Sequence, residues 1–198
     1  AYATTEDANE SKGFTLCSIH GVKVAFVSFT KGMSKGKESM YLPSGSEGCI
    51  NLLYTDRTYQ DIDTEGIQKI LRDVEKEKPD VTIALLHWGS EYNDTISSSQ
   101  KSIASLMKSQ GVDIIIGGHS HTLLTEPTVV NNIPIVQAAT GTAQIGRFDI
   151  MVDTDNNCID SYKWQLIPID DDYCPRDYDL EAVIERYKTE TDKKYKRV

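Results

Sequence analysis

The sequence lacks a long apolar run, and no stretch approaches the ~20 residues that a membrane-spanning helix needs. We therefore expect no transmembrane segment. Basic residues are also few, since 21 Lys and Arg stand against 30 Asp and Glu, giving a net charge of −9. Because nucleic-acid backbones are bound by clustered Lys and Arg, this balance argues against a nucleic-acid polymer as partner. The acidic first residues also lack the basic start and apolar core of a signal peptide.

Cysteine is sparse, and its spacing excludes the commonest structural zinc sites. The four cysteines are far apart and form no CxxC pair, which argues against a thiolate zinc site. Disulfide bonds and free thiols both remain open for Cys17, Cys49, Cys158 and Cys174. The length of 198 residues suits one domain with a sizeable core, and we expect residues 1–198 to form a single domain.

The middle of the chain predicts alternating helices and strands. Residues 63–79 form a helical pattern that Asp63 or Thr64 can cap, and residues 81–87 form an apolar strand. A second helix over 97–111 and a strand over 112–116 follow. This order is typical of a βαβ crossover in a parallel sheet, so the predicted fold class is α/β.

Antiparallel elements are predicted on both sides of this unit. Strands over 14–19 and 22–29 flank a hairpin turn, and two further hairpins follow the crossover, the first turning at Asn131-Asn132. A polar helix closes the chain at 178–198. The stretch 30–62 shows no clean period and is interpreted as a long loop.

Three of the four histidines follow predicted parallel strands. His87 ends one strand, and His119 and His121 follow the next after Gly117 and Gly118. Carboxyl ends of neighbouring parallel strands share one edge of the sheet, where α/β folds place their ligand sites. In an extended loop, residues two apart point the same way, and the glycines let the backbone bend sharply before them. We therefore expect the three imidazoles to face one cleft.

Neutral imidazoles in this arrangement are typical ligands of Zn, Mn or Fe. The metal-binding hypothesis for His87, His119 and His121 is favoured over ordinary hydrogen-bonded histidines, whereas His20 is interpreted as a structural turn residue. Arg147 is a weak candidate for binding substrate phosphate, with a plain surface role equally open.

Several polar residues lie close to these histidines in sequence. Asn93 is a second weak candidate for lining a substrate site, although an ordinary turn role is favoured. Glu91 is either a hydrogen-bond acceptor for an imidazole or solvated, and Trp88 is expected to pack in the core.

The motifs "LLHWG", "GVDIIIGGHSH" and "IPIVQAATGTAQIGRFDIMVD" resemble the later half of the calcineurin-like metallophosphoesterase domain. The nearest resemblance is to the 5′-nucleotidase / 2′,3′-cyclic phosphodiesterase family of exported bacterial enzymes. It implies the C-terminal half of a four-layer α/β/β/α sandwich that hydrolyses nucleotide phosphoesters. It also implies two divalent metal ions, one held by His87 and His119 and the other by His121. Two such ions clamp the phosphate and generate hydroxide for in-line attack.

The sequence departs from that family where further ligands are expected. It contains neither an Asp-x-His motif nor an Asn-His dipeptide, which in the family supply ligands and the catalytic acid. We therefore identify no catalytic residue in this chain and expect a missing N-terminal half of the domain as its partner. The chain alone is expected to hold at most one ion and to be nearly inert.

Three alternatives stay open. The segment "LLHWGSEYN" with Gln100 downstream also resembles the capsule-biosynthesis (poly-γ-glutamate) branch of the same superfamily. That branch is ranked second, because "AATGTAQIG" differs from its typical Ser-Leu-Gly-Asn loop. The others are a complete three-histidine zinc hydrolase or lyase, and a non-enzymatic module that binds a partner through its acidic surface.

Overall fold

The structure, a computed structural model, describes residues 13–33, 50–56, 58–170, 172 and 174–195. These residues contain nine strands and three helices, which in chain order are β1 (Phe14–Ile19), β2 (Val22–Met33), β3 (Leu52–Tyr54), α1 (Thr64–Lys76), β4 (Val81–Trp88), α2 (Ser98–Ser109), β5 (Ile114–His119), β6 (Thr128–Val130), β7 (Ile133–Val136), β8 (Gln144–Asp153), β9 (Cys158–Pro168) and α3 (Tyr178–Lys194).

Seven strands form one sheet in the order β1-β2-β4-β5-β7-β6, and β3 pairs with β2 beside this path. Strands β2, β4, β5 and β7 are parallel, while β1 and β6 run antiparallel to their neighbours. The predicted crossover is confirmed, since α2 connects β4 to its parallel neighbour β5. The carboxyl ends of both strands therefore lie at one edge of the sheet.

The two crossover helices pack against one face of this sheet. The Asp63 side chain caps α1, and Ser97 with Gln100 forms a capping box at the start of α2. Helix α1 buries Ile67 and Leu71 at the spacing of its apolar stripe. These side chains join the larger core cluster with residues of β2, β4 and β5.

The hairpin of β8 and β9 covers the other face of the sheet. Its inward side chains pack against a second cluster formed by Val24, Val81, Ile83 and Ile114. The result is three layers, namely the helices, the mixed sheet and the two-stranded sheet. Helix α3 follows, and none of its described side chains is buried in the core. This arrangement confirms the predicted α/β fold class, in which a parallel crossover unit is followed by antiparallel strands and a closing helix.

The hairpin turns also follow the sequence prediction. His20 and Gly21 both have positive φ, +50° and +86°, and so do Asn131 and Asn132, at +47° and +64°. Two successive left-handed residues are what a two-residue turn of type I′ requires.

The prediction of a loop over 30–62 is wrong in part. Strand β2 continues to Met33, and Leu52–Tyr54 forms the short strand β3, which pairs in parallel with the end of β2. A strand of three residues is too short to display a period, which explains why the sequence pattern missed it. The centre of that stretch, residues 34–49, lies outside the described residues.

The cysteines that the structure describes are free thiols. Cys17, Cys158 and Cys174 are exposed and unpaired, while Cys49 lies outside the described residues. Among the described helices, none combines the length and apolar character needed to cross a membrane.

Candidate metal centre

Two of the predicted ligands meet at the carboxyl edge of the parallel strands. In the register of β4 and β5, His87 pairs with Gly118 and Trp88 with His119. The ring centroids of His87 and His119 lie 4.6 Å apart with their planes tilted by 45°. The expectation that these two imidazoles lie close together at one edge of the sheet is therefore confirmed, while their role as metal ligands stays a prediction.

The loop that carries the second and third histidines is sharply turned rather than extended. The Ser120 N–H donates to the Gly118 carbonyl at 3.0 Å, and the intervening His119 has a φ of +73°. This is a γ-turn with positive φ, a rare and strained conformation for a residue with a Cβ. His121 also lies in the left-handed region, at +57°. The expected extended loop is therefore wrong, and two strained residues stand at the strand end instead.

His121 is held on the other side of this turn. Its ring contacts the ring of Tyr92 edge to face, with centroids 4.9 Å apart. The Tyr92 N–H donates to the Ser120 carbonyl at 2.9 Å, which ties the loop after β4 to the loop after β5. The Nδ1 atom of His121 is buried and has no hydrogen-bond partner among the described residues. An unpaired buried nitrogen of this kind is available to a ligand.

The paired glycines have a different role from the predicted one. Neither Gly117 nor Gly118 has a positive φ. A Cβ built on Gly117 would lie 2.7 Å from Gln137 Oε1 and 2.9 Å from Trp88 Nε1, whereas the nearest atom to one on Gly118 is 3.8 Å away. Close packing therefore explains Gly117, and nothing in the structure requires glycine at Gly118.

A buried polar network supports the histidine loop from below. The Ser120 hydroxyl donates to Gln137 Oε1 at 3.1 Å and shares a hydrogen bond with the Thr122 hydroxyl at 2.9 Å. All three side chains are buried. The network holds Ser120, the residue between His119 and His121, in place. A buried hydroxyl that loses its hydrogen-bond partners destabilises the folded state.

A lysine that the sequence interpretation did not single out reaches the same cleft. The Nζ atom of Lys31, a residue near the end of β2, lies 3.4 Å from Nε2 of His119. The same Nζ donates to the Gly89 carbonyl at 3.0 Å and lies 5.0 Å from the centroid of the Tyr59 ring. An ammonium group is therefore held against a histidine nitrogen at the carboxyl edge of the sheet.

Both paired imidazoles are biased toward their neutral form. Desolvation lowers the pKa of His87 and of His119 below the ordinary value of 6.5, and the positive charge of Lys31 lowers it further. The charge of Glu91 acts in the opposite direction on His119. Neutral imidazole is the form that binds a metal ion, so the lowered pKa values keep both rings in the ligating form at neutral pH.

The donor set fits a divalent transition metal in its chemistry. It offers neutral imidazoles, an unpaired buried Nδ1 on His121, and an Nε2 on His119 that already faces a cation. Across the described parts of the chain, no three His, Cys, Asp or Glu side chains are grouped closely enough to enclose an ion. The geometry therefore presents a converging pair and a third histidine beside it.

The side-chain hydrogen bonds of the remaining candidates do not involve this pair. Asn93 is exposed and donates to the Ser90 carbonyl at 3.0 Å within its own turn. Arg147 is exposed on β8, where its Nε pairs with Asp149 at 3.0 Å. Substrate binding by Asn93 and Arg147 stays a prediction. Trp88 is fully buried, as expected of a core residue.

One signal in the sequence points to Lys31. Val27 and Phe29 are buried on one face of β2, and Lys31 is the next residue on that face in the two-residue period of a strand. A lysine that continues an apolar face at the carboxyl end of a parallel strand lies where ligand sites form. The buried network of Ser120 and Gln137 has no comparable signal, because its members are far apart in sequence.

The fold and the histidine edge together define a calcineurin-like phosphoesterase architecture. The chain spans 99% of its length in an alignment with the crystal structure of the calcineurin-like phosphoesterase YfkN from Bacillus subtilis, at a TM-score of 0.60 and 16% identity, and covers 62% of that chain. At this identity the likeness shows the fold alone.

Sequence similarity shows the family to which the chain belongs. Residues 3–136 match the family described as bacterial capsule synthesis protein PGA_cap, and the chain belongs to that family. It is 30% identical over 118 residues to the capsule biosynthesis protein CapA of Bacillus anthracis, covering 60% of this chain and 26% of CapA. It is 33% identical over 101 residues to the trifunctional nucleotide phosphoesterase protein YfkN of Bacillus subtilis, covering 49% of this chain and 6% of YfkN.

These matches reverse the order of the two branches. The capsule-synthesis branch, ranked second from the motifs, has the stronger support in sequence, and the 5′-nucleotidase branch is supported mainly by structure. The error came from the segment "AATGTAQIG", which begins at Ala138, just beyond the matched residues 3–136. That segment therefore does not test membership of the matched family.

Proposed function

We propose that this chain supplies the histidine side of a divalent-metal site in a protein of bacterial capsule-polymer synthesis. The observation that supports this most directly is that His87, His119 and His121 all lie within the family match at residues 3–136. Arg147, the weak phosphate candidate, lies outside it. The metal site and the capsule assignment thus rest on the same segment of the chain.

The residues would act as follows. His87 and His119 would hold one ion through neutral imidazoles, and His121 would contribute to a neighbouring position. A bound divalent ion lowers the pKa of water and polarises a phosphoester or related anion. Lys31 adds positive charge to the cleft and favours an anionic substrate. The carboxylate ligands of a two-ion centre are proposed to come from another part of the protein, because this sequence has no Asp-x-His or Asn-His motif.

Calorimetric titration of the metal-free protein with Zn²⁺ and Mn²⁺ tests the site. The wild type should bind one ion per chain, and His119→Ala should lose that ion. His20→Ala is the matched control, because this histidine is exposed in a hairpin turn. Equal binding by all three proteins would remove the site assignment.

The capsule assignment needs a test in cells. Deleting the gene in its host should lower the amount of extracellular poly-γ-glutamate or a comparable anionic polymer. The wild-type gene should restore it and the His119→Ala allele should not. Unchanged polymer after deletion would contradict the assignment, while restoration by the His119→Ala allele would separate capsule synthesis from the metal site.

Nucleotide hydrolysis is the second candidate. It is favoured by the 33% identity to the nucleotide phosphoesterase YfkN and by the 5′-nucleotidase-like segment after the family match. Incubating the metal-loaded protein with 5′-nucleotides and 2′,3′-cyclic nucleotides, and measuring released phosphate and nucleoside, discriminates the two. Turnover that disappears in His119→Ala would favour the nucleotidase, and an absence of turnover in the full-length protein would favour the capsule function.

Export from the cytoplasm is also proposed, on the resemblance to exported enzymes alone. Fractionation of host cells with an antibody against the protein tests it. Recovery in the cytoplasmic fraction would overturn this proposal without affecting the metal site.

A further inference from the structure

We infer that Lys31 is an internal cation that competes with the metal ion for His119, and that an oxyanion relieves this competition. The inference deepens the proposed metal site and rests on it. It concerns a residue that belongs to no motif of the histidine segment, on a strand that precedes both histidine loops in sequence.

The contact between Lys31 and His119 determines which atom donates the hydrogen bond and which accepts it. An ammonium group has three donors and no acceptor, so a hydrogen bond between Nζ and Nε2 of His119 requires Nε2 to accept. The accepting lone pair is also the one that would bind a metal ion through this nitrogen. One lone pair cannot serve both cations at once, so an ion that binds Nε2 must displace the ammonium.

Charge repulsion makes the displacement necessary even for an ion bound slightly to one side. A zinc–imidazole bond is ~2.0–2.1 Å long, and the lysine Nζ lies 3.4 Å from the same nitrogen. The long, flexible stem of lysine allows the ammonium to move away. The move loses the Gly89 carbonyl at 3.0 Å and the face of Tyr59, which hold the ammonium in place.

A displaced ammonium needs a new partner, and an oxyanion at the metal provides one. A tetrahedral oxyanion coordinated by the ion presents further oxygens to a nearby cation. Binding of the metal and of the anion should therefore be mutually favourable, as linkage requires when both act on the position of one group. Without a metal ion, the ammonium group of Lys31 stays beside Nε2 of His119. With a metal ion and an oxyanion bound, the ammonium would contact the oxyanion instead.

The test compares metal affinity in Lys31→Met and the wild type of the full-length protein. Methionine keeps much of the stem and removes the charge. Lys76→Met is the matched control, because Lys76 ends α1 just before β4 begins and so lies at the opposite edge of the sheet. The titration with Mn²⁺ or Zn²⁺ is run with and without sulfate, a tetrahedral oxyanion that precipitates neither metal.

Lys31→Met should bind the metal about tenfold more tightly than the wild type, on the scale of a unit charge removed from a few ångströms away. Lys76→Met should match the wild type. Sulfate should tighten metal binding by the wild type and not by Lys31→Met. A purely structural role for Lys31 would lower thermal stability and leave metal affinity unchanged.

Each other outcome decides the question. Equal affinity in the wild type and Lys31→Met overturns the inference and leaves the metal site in place. If sulfate changes metal affinity equally in the wild type and Lys31→Met, the anion binds to a group other than Lys31. This result overturns the proposed coupling between the anion and Lys31. Metal binding by neither protein removes the metal site, and the inference with it.

Discussion

The ring centroids of His87 and His119 lie 4.6 Å apart because the two strands that carry these residues at their carboxyl ends are adjacent and parallel. The register pairs His87 with Gly118, so the side chain of His87 stands beside a residue that has none. The γ-turn at His119 then brings the second ring back toward the first. A pair of imidazoles formed in this way depends on sheet register and on one strained residue.

Acid should destabilise the metal-free protein through this pair. The pKa of His87 and of His119 is lowered in the folded state, so the unfolded chain binds more protons once the pH drops below about 6.5. The stabilisation is complete above 6.5 and is lost as the pH falls through the folded pKa values. Urea unfolding between pH 8 and 5, in the presence of a chelator, should show a smaller loss for the double variant His87→Asn/His119→Asn than for the wild type. Parallel pH profiles would contradict the lowered pKa values.

Substitution of the two neighbouring glycines should separate packing from conformational freedom. Gly117→Ala should lower the free energy of unfolding by about 1–3 kcal/mol, because its Cβ would lie 2.7 Å from Gln137 Oε1. Gly118→Ala should be neutral or raise it by up to about 1 kcal/mol, since its φ is not positive and the space is open. Chemical denaturation of both variants measures the difference. A larger loss for Gly118→Ala would show that the register of β4 and β5 differs from this structure.

The buried hydroxyl beneath the histidine loop should matter more than an exposed one. Ser120→Ala removes the donor to Gln137 Oε1 and the contact with the Thr122 hydroxyl, which should cost about 1–3 kcal/mol of stability. Ser102→Ala, on the exposed face of α2, should cost nothing or stabilise slightly, because alanine is the better helix former. Thermal unfolding of the two variants is the measurement. Equal melting temperatures would argue that the network is not formed in solution.

Much of the fold follows from patterns of short range in the sequence. The stripe of Ile67 and Leu71, the caps at Asp63 and Ser97, and the paired asparagines of the β6–β7 turn each depend on residues within one element. The apolar runs of the parallel strands are equally local. For this reason the crossover, its order and the edge that bears the histidines were predictable.

The finer geometry of the site depends on contacts between distant segments. Lys31 reaches His119 across 88 positions of sequence, and Gln137 lies 17 residues from Ser120. The γ-turn at His119 was also not predictable, because a positive φ is uncommon for any residue other than glycine and no local pattern marks where it occurs. Strain of this kind is sustained by surrounding contacts, so it becomes visible only in the folded structure.

A double-mutant cycle on His87 and His119 tests whether the pair acts on one ion. Each single change to alanine should weaken Zn²⁺ binding at least about 10- to 100-fold, since even changes to the partners of metal ligands have effects of that size. If both rings bind the same ion, the double variant should lose less than the sum of the two single losses, because the first change already removes most of the site. Titration of the four proteins measures the coupling, with His20→Ala as the control for loss of an exposed imidazole. Strictly additive losses would mean that the two histidines, despite their 4.6 Å separation, serve independent sites.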